Sequence, residues 1–539
     1  MMKTKLFVPI IFLGLLANFS SCVKQDAVNV LAEGNFADTT GTLKGNSSFP
    51  IGFGIDYTPF LNNARYKTIV AREGSSVTFG YHMKHGALVQ NDGSIDFTKA
   101  DALYNAATAA GLEVYGHTLG WHSNQNATYL KNYAKIVIPA STELLSNPGF
   151  ETTNSSLFAN WSVLNTSLGT FSAATGANVH AGSYALKCAV TTAGSSWKMQ
   201  ILSDAASVSS SKTYTVSFFI KADAATTIQF ELRNNDASST VQYVGSQNVS
   251  TGWSQITYNY TPKNTTLAIA FDLGATATNY YIDDVSIKEA VTAPSGAQVA
   301  ALLDAALNDF ITKTVTHYKG EVKAWDVINE ILADNGAIRN NSNTDTKPAD
   351  VLVWSNYLGK SFGVKAFTYA HAADPSALLF INDYALESNN AKVDSLVAYV
   401  NYLKANGVQV DGIGTQMHIN INTSYAGIDN AFQKLAATGL KVRISELDVC
   451  ANPLAKPNFL TAYTKYAYDY QANMYKYVVD SYIKNVPAAQ RYGVTIWGVD
   501  DPESWIIVSQ GKVDAPLLFD KNFAKKPAYS GVLKALQAK

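Results

Sequence analysis

VKAWDVINE, residues 322–330, is an apolar run broken only by Lys323 and Asp326, and it stops abruptly at Asn329-Glu330. A short buried strand that delivers polar groups at its C-terminal end reads this way. Seven other runs share the design: IGFGID (51–56), SSVTFGYHMK (75–84), LEVYGHTLGWHS (112–123), ALLFINDYALE (377–387), VDGIGTQMHI (410–419), KVRISELDV (441–449) and GVTIWGVDD (493–501). Helical periodicity fills most of the intervals, as in 100–110, 298–317, 353–372 and 389–405. Eight buried strands alternating with helices predict an α/β fold, a (β/α)8 TIM barrel, whose active face collects the strand ends.

One segment breaks this rhythm. Residues 143–290 turn rich in Ser, Thr, Asn and Gly, with short alternating runs such as TYTVSFFIKA, TIQFELRN, SQITYNYTP and YYIDDVSIKE. They predict an all-β sandwich inserted in a barrel loop, which leaves 46–142 and 291–539 as the two parts of the barrel. Residues 23–45 are polar and read as a tether. Before them, Lys3 and Lys5 precede an apolar run from Leu6 to Phe19 that ends in Ser20-Ser21-Cys22. The run is too short for a mature membrane span and reads as an export signal over 1–22. Its end resembles a bacterial lipobox, which implies lipidation at Cys22, a membrane association through that anchor alone, and a bacterial envelope location, on the outer membrane.

Composition narrows the partners. Lys plus Arg total 41 against 42 Asp plus Glu, a net of −1, so there is no basic field for nucleic acid. Aromatic content is high, with 8 Trp, 30 Tyr and 24 Phe, while only 15% of residues are charged. That balance suits neutral ligands held by stacking and hydrogen bonds, and sugars are the obvious class. Cys188 and Cys450 fall in different predicted domains, so no disulfide framework is expected. His82 and His85, or His117 and His122, lack an HExxH arrangement, and no Gly-x-Ser-x-Gly elbow occurs at a strand-to-helix turn.

The chemistry centres on Glu330 in WDVINE and Glu446 in ISELD. One glutamate at a strand end is commonly a structural ion pair. Two on one barrel face, amid Trp325, Asn329, His418, Trp497 and Trp505, suit glycoside hydrolysis, which needs one carboxyl as acid and another as nucleophile or stabiliser. With GHTLGWHS, WDVINE, INDY, GIGTQMH, ISELD and WGVDDPESW in that order, the chain resembles glycoside hydrolase family 10, the retaining endo-β-1,4-xylanases. The resemblance implies action on xylan and xylo-oligosaccharides without a catalytic cofactor. It makes Glu330 the acid/base and Glu446 the nucleophile, with His418 orienting Glu446 and held by Asp448. Asn329 would bond the sugar 2-hydroxyl, with Gln416 nearby, and Lys84, His117, Trp121, Trp497 and Trp505 would line the glycone side.

At the second strand the family's Glu-Asn-x-Met-Lys-Trp becomes Gly80-Tyr81-His82-Met83-Lys84-His85. The resemblance gives that Glu-Asn pair the sugar second from the cleavage point, so binding there is expected to weaken and to recover in part with Gly80→Glu plus Tyr81→Asn. The insert is similar to jelly-roll carbohydrate-binding modules of the family 4 and 22 type, through NPGFE, AGSYALKC, Trp197 with Gln200, and YIDDVSI. That similarity implies a structural calcium at Glu151 and Asp283, and sugar contacts from Trp197, Arg233 and Tyr243. Trp161 and Trp253 are assigned to the sandwich core. The rival readings are a surface glycan-binding protein that has lost catalysis and an endo-β-1,4-glucanase on the same fold.

Overall fold

The computed structural model describes Phe36 and residues 40–136, 141–155, 157–234, 240–290, 293–462 and 464–538. The expected export signal and Cys22 lie outside the described residues. The chain divides into two compact units, one formed by residues up to Leu130 with Ala300–Lys539, the other by Lys131–Val299.

In the first unit eight strands run parallel: β1 (Ile51–Ile55), β2 (Ser76–Phe79), β3 (Glu113–Gly120), β4 (Ala324–Asn329), β5 (Leu378–Asp383), β6 (Gly412–Thr415), β7 (Lys441–Cys450) and β8 (Arg491–Ile496). Each pairs with its neighbours in the order β6-β5-β4-β3-β2-β1-β8-β7, and pairing of β6 with β7 closes the barrel. A short segment beyond β6, His418–Asn420, pairs again with β7 and sets His418 opposite Asp448. The expected (β/α)8 barrel is thus present. Its wall also draws in residues assigned to the tether: Leu43 is buried and its amide donates to Glu73 Oε2 at 3.0 Å, while Tyr529 donates to Gly41 O at 3.1 Å.

Helices Thr98–Ala109, Gly296–His317 and Asn390–Ala405 fall close to their expected positions. The stretch 353–372 does not form one helix. It divides into Trp354–Leu358 and Phe362–Ala373, because Gly359 takes a positive φ of 66° that ends the first.

The barrel interior below the strand ends carries a polar network that spans five strands. Arg443 Nη2 donates to Thr78 and Thr495 hydroxyls, both at 2.8 Å, and its guanidinium lies 3.4 Å over the Tyr115 ring. Tyr115 donates to Asp326 Oδ1 at 2.8 Å, and Asp326 Oδ2 holds His117 Nδ1 at 2.9 Å. These bonds hold the His117 ring from beneath. Trp325 faces the other way. It is fully buried 6.3 Å from Tyr318, and a Cβ on Gly116 of β3 would come within 2.1 Å of its ring. Its place among the site residues is therefore corrected to the packing between barrel and helices.

The second unit is a two-sheet antiparallel sandwich. One sheet runs Thr240–Val249, Thr226–Arg233, Thr266–Asp272, Met199–Ser203, Trp161–Thr166, and the other Ser254–Tyr260, Tyr214–Ala222, Asn279–Glu289, Ala185–Val190, Gly169–Ala174. Phe150, Trp161, Phe218, Phe230, Phe271 and Ile282 fill the space between them. Trp161 is core as expected. Trp253 is not: it is half-buried against Ala174, Ala185 and Tyr281 on the outer side of the second sheet.

Candidate active site

Glu330 and Glu446 are brought to the same end of the barrel and joined by a continuous set of amide side chains. Gln416 Nε2 donates to Glu330 Oε1 at 3.1 Å and to Asn329 Oδ1 at 3.2 Å. Asn382 Nδ2 donates to Asn329 Oδ1 at 2.9 Å and to Glu446 Oε1 at 2.8 Å. Glu330 sits just past β4 at φ 56°, and Met417, between Gln416 and His418, at φ 62°. Both are left-handed positions that a side chain with a Cβ occupies at a cost, and such strain gathers at functional sites.

The other oxygen of Glu446 faces His418. His418 Nε2 lies 3.3 Å from Glu446 Oε2, and its Nδ1 lies 2.8 Å from Asp448 Oδ2, which also accepts from Trp505 Nε1 at 2.8 Å. Burial by itself would lower the His418 pKa, but the charges of Asp448 and Glu446 win and push it up to about 10. Burial likewise favours protonated Glu446. The hydrogen bond from His418 and the charges of His117, His418 and Lys84 outweigh it and hold Glu446 down to about 2. Glu446 is therefore an ionised carboxylate at neutral pH, buried yet matched by an imidazolium.

The other expected residues surround this pair. The Lys84 ammonium lies 4.6 Å from the centre of the Trp121 ring. Burial lowers the Lys84 pKa, while Glu446, Glu330 and Asp56 oppose that change. The Trp497 ring is 5.5 Å from His117 and 6.4 Å from His418, and Trp505 is 4.9 Å from His418. Trp121, Trp497 and Trp505 are all partly exposed, as ring faces open to a ligand must be.

Three groups escaped the sequence reading. Asn382, the second residue of INDY, is the link between the two halves of the site, and its place at a strand end was the available signal. Arg339 comes from the long loop after β4, where no period marks it. Its Nη2 lies 3.8 Å from Glu330 Oε2 and donates to Tyr384 at 2.8 Å, while its Nε donates to the Glu330 carbonyl at 2.8 Å. Asp383 is the third, fully buried 2.9 Å from Lys392 Nζ and accepting from the Leu332 amide at 3.2 Å, which anchors the turn after Glu330.

In the sandwich, Trp197 is 54% and Tyr243 70% exposed, as sugar-stacking rings would be. Arg233 is buried, with Nε 2.7 Å from Glu231 Oε2, in a polar floor in which Gln200 also donates to Asp272. Cross-strand register puts Tyr243, Glu231, Ala270 and Leu202 in one row of that sheet face. Glu151 and Asp283 are held by backbone amides. Glu151 accepts from the amides of Ser183 and Tyr184, and Asp283 from those of His180 and Ala181. Among the described residues no three His, Cys, Asp or Glu side chains converge on a metal position.

Residues 142–278 match the family model described as Carbohydrate binding domain. Endo-1,4-beta-xylanase A of Cellvibrio japonicus is 38% identical over 240 residues, covering 42% of this chain and 39% of its own length. Exoglucanase XynX of Acetivibrio thermocellus is 38% identical over 231 residues, 41% of this chain and 19% of its own length. The chain thus spans well under half the length of these curated relatives. Among solved structures, native xylanase 10C from Cellvibrio japonicus superimposes with a TM-score of 0.57 at 25% identity, covering 93% of this chain and 73% of that one. The barrel itself, residues 42–147 and 286–535, matches the model described as Glycosyl hydrolase family 10 on both sides of the inserted sandwich, and the chain belongs to that family.

Proposed function

We propose that the chain is a retaining endo-β-1,4-xylanase in which Glu446 is the nucleophile and Glu330 the general acid/base. The observation that carries this reading is the Glu446-His418-Asp448 series, which keeps one buried carboxylate ionised next to a second carboxyl on the same face. Glu446 attacks the anomeric carbon as Glu330 protonates the departing glycosidic oxygen. Glu330 then deprotonates the water that releases the sugar with retained configuration. Asn329, held by Gln416 and Asn382, presents its amide to the 2-hydroxyl, and Lys84, His117, Trp121, Trp497 and Trp505 bind the glycone side. The intact pair and its supports speak against a barrel that only binds glycan.

The sandwich binds xylan through the polar floor of one sheet, with Trp197 and Tyr243 as stacking rings, and Cys22 carries a lipid anchor at the bacterial outer membrane. The relative named as an exoglucanase favours β-1,4-glucan as the second substrate reading. Product analysis on xylan, arabinoxylan, glucuronoxylan and β-glucan decides between them. Early NMR of the products should show retained anomeric configuration; inversion, which needs carboxyls ~6.5–9.5 Å apart, would refute the assignment.

A further inference from the structure

Asp56 follows β1 at the N-cap of the short helix Tyr57–Asn62, where an aspartate ordinarily accepts from the first-turn amides. Here its side chain makes no capping hydrogen bond. It is exposed, and its carboxylate has no hydrogen-bond partner among the described residues. The direction it takes is marked by the neighbouring strand. The Gly80 amide donates to Ile55 O at 2.9 Å, and a Cβ built on Gly80 would stand 2.6 Å from Asp56 Oδ1 and 3.4 Å from its Cγ. The carboxylate therefore occupies the space that a side chain at position 80 would enter. Lys84, four residues further on, feels the charges of Glu446, Glu330 and Asp56, which oppose the lowering of its pKa by burial. Next to them Tyr57 packs on His82 with ring centres 5.0 Å apart, and Tyr81 is 38% exposed, so it does not pack inside the barrel.

We propose that Asp56 is a specificity-determining residue of the barrel cleft, its carboxylate accepting hydrogen bonds from the sugar second from the cleavage point on the glycone side. A free carboxylate beside an ammonium is suited to a polyol: one accepts from vicinal hydroxyls while the other donates. Gly80 belongs to the same device, because only a residue without a side chain leaves room for Asp56. The carboxylate that the family pattern carries on the second strand is here supplied from the first. Restoring that pattern through Gly80→Glu with Tyr81→Asn consequently meets an obstacle the sequence does not show, a second carboxylate already in place.

This inference rests on the xylanase reading, and the test separates the two. The full chain is assayed on an activated aryl β-xyloside, which reaches one glycone site, and on the matching aryl β-xylobioside, which reaches two. Asp56→Asn should lower the ratio of kcat/KM for the disaccharide over the monosaccharide on the order of ten- to a hundredfold, the scale of a lost charged hydrogen bond. Gly80→Ala should lower the same ratio by displacing Asp56, and Asp56→Gly with Gly80→Glu should recover part of it. An unchanged ratio in Asp56→Asn, or equal losses on both substrates, would overturn the role of Asp56 while leaving the xylanase reading intact. A wild type inert on the aryl xylobioside overturns that reading and this inference with it.

Discussion

Asp448→Asn removes a charge and preserves a shape. Asp448 Oδ2 accepts from His418 Nδ1 and from Trp505 Nε1, each at 2.8 Å, and the amide oxygen of Asn can take over both contacts. The anion that keeps His418 protonated is lost. His418 should fall from about 10 toward its ordinary 6.5, and Glu446, deprived of its imidazolium, should rise from about 2 toward 4.5. The depression of Glu446 corresponds to about 3 kcal/mol net, what is left after burial opposes the combined effect of His418, His117 and Lys84. Losing the His418 share should lift the acid limb of kcat/KM by about one pH unit or more, because that limb reports the free enzyme's essential base. The assay is kcat/KM from pH 2 to 8 on an aryl xylobioside, paired with melting temperature against pH. In the wild type Glu446 contributes stability above pH 4.5 that fades as pH falls toward 2. His418 contributes stability below 6.5 that fades as pH rises through 10, and in the variant this alkaline loss should start lower. An acid limb and a melting profile unmoved by Asp448→Asn would refute the claim that this series sets the ionisation of Glu446.

Glu446→Gln should lower turnover by several orders of magnitude on every substrate, whereas Glu330→Gln should spare aryl glycosides whose leaving group needs no proton; equal losses in the two variants on aryl glycosides would contradict the division of roles. Trp197→Ala and Tyr243→Ala should each weaken binding of soluble xylan to the full chain about tenfold by affinity electrophoresis with an unchanged melting temperature, since both rings are exposed; a fall in melting temperature would place them in the sandwich core instead. Chelation with EGTA tests the calcium expectation at Glu151 and Asp283: it should lower the melting temperature by several degrees, reversed by added calcium, and an unchanged transition would show that amides alone hold these carboxylates.

The barrel could be read along the chain because its signals are local. Each strand is a run of apolar residues long enough to be buried on both faces, and each active-face residue lies near the end of its run or just past it. Glu330, Glu446, His418 and Asp448 are found by that rule, and once the strands close, residues far apart in the chain share one face. The sandwich was legible from its alternation and from the change in composition at its borders.

What the chain order could not supply is the direction of each side chain and the identity of its neighbour across the sheet. Trp325 and Asp326 are adjacent, yet one packs toward the helices and the other holds His117 inside the barrel, because strand neighbours point to opposite faces. The pairing of Arg233 with Glu231, two residues earlier on the same face, is likewise set by the sheet and not by the chain order. Asn382 and Arg339 belong to the site only through bonds to Asn329, Glu446 and Glu330 that span the barrel or a long loop. The same holds for Asp56 and Gly80. Sequence shows an aspartate and, 24 residues later, a glycine where a carboxylate was expected; only the parallel pairing of β1 with β2 sets one in the space left by the other. Local periodicity determines which elements form, but contact across strands is a property of the closed sheet, and it decides which groups meet a ligand.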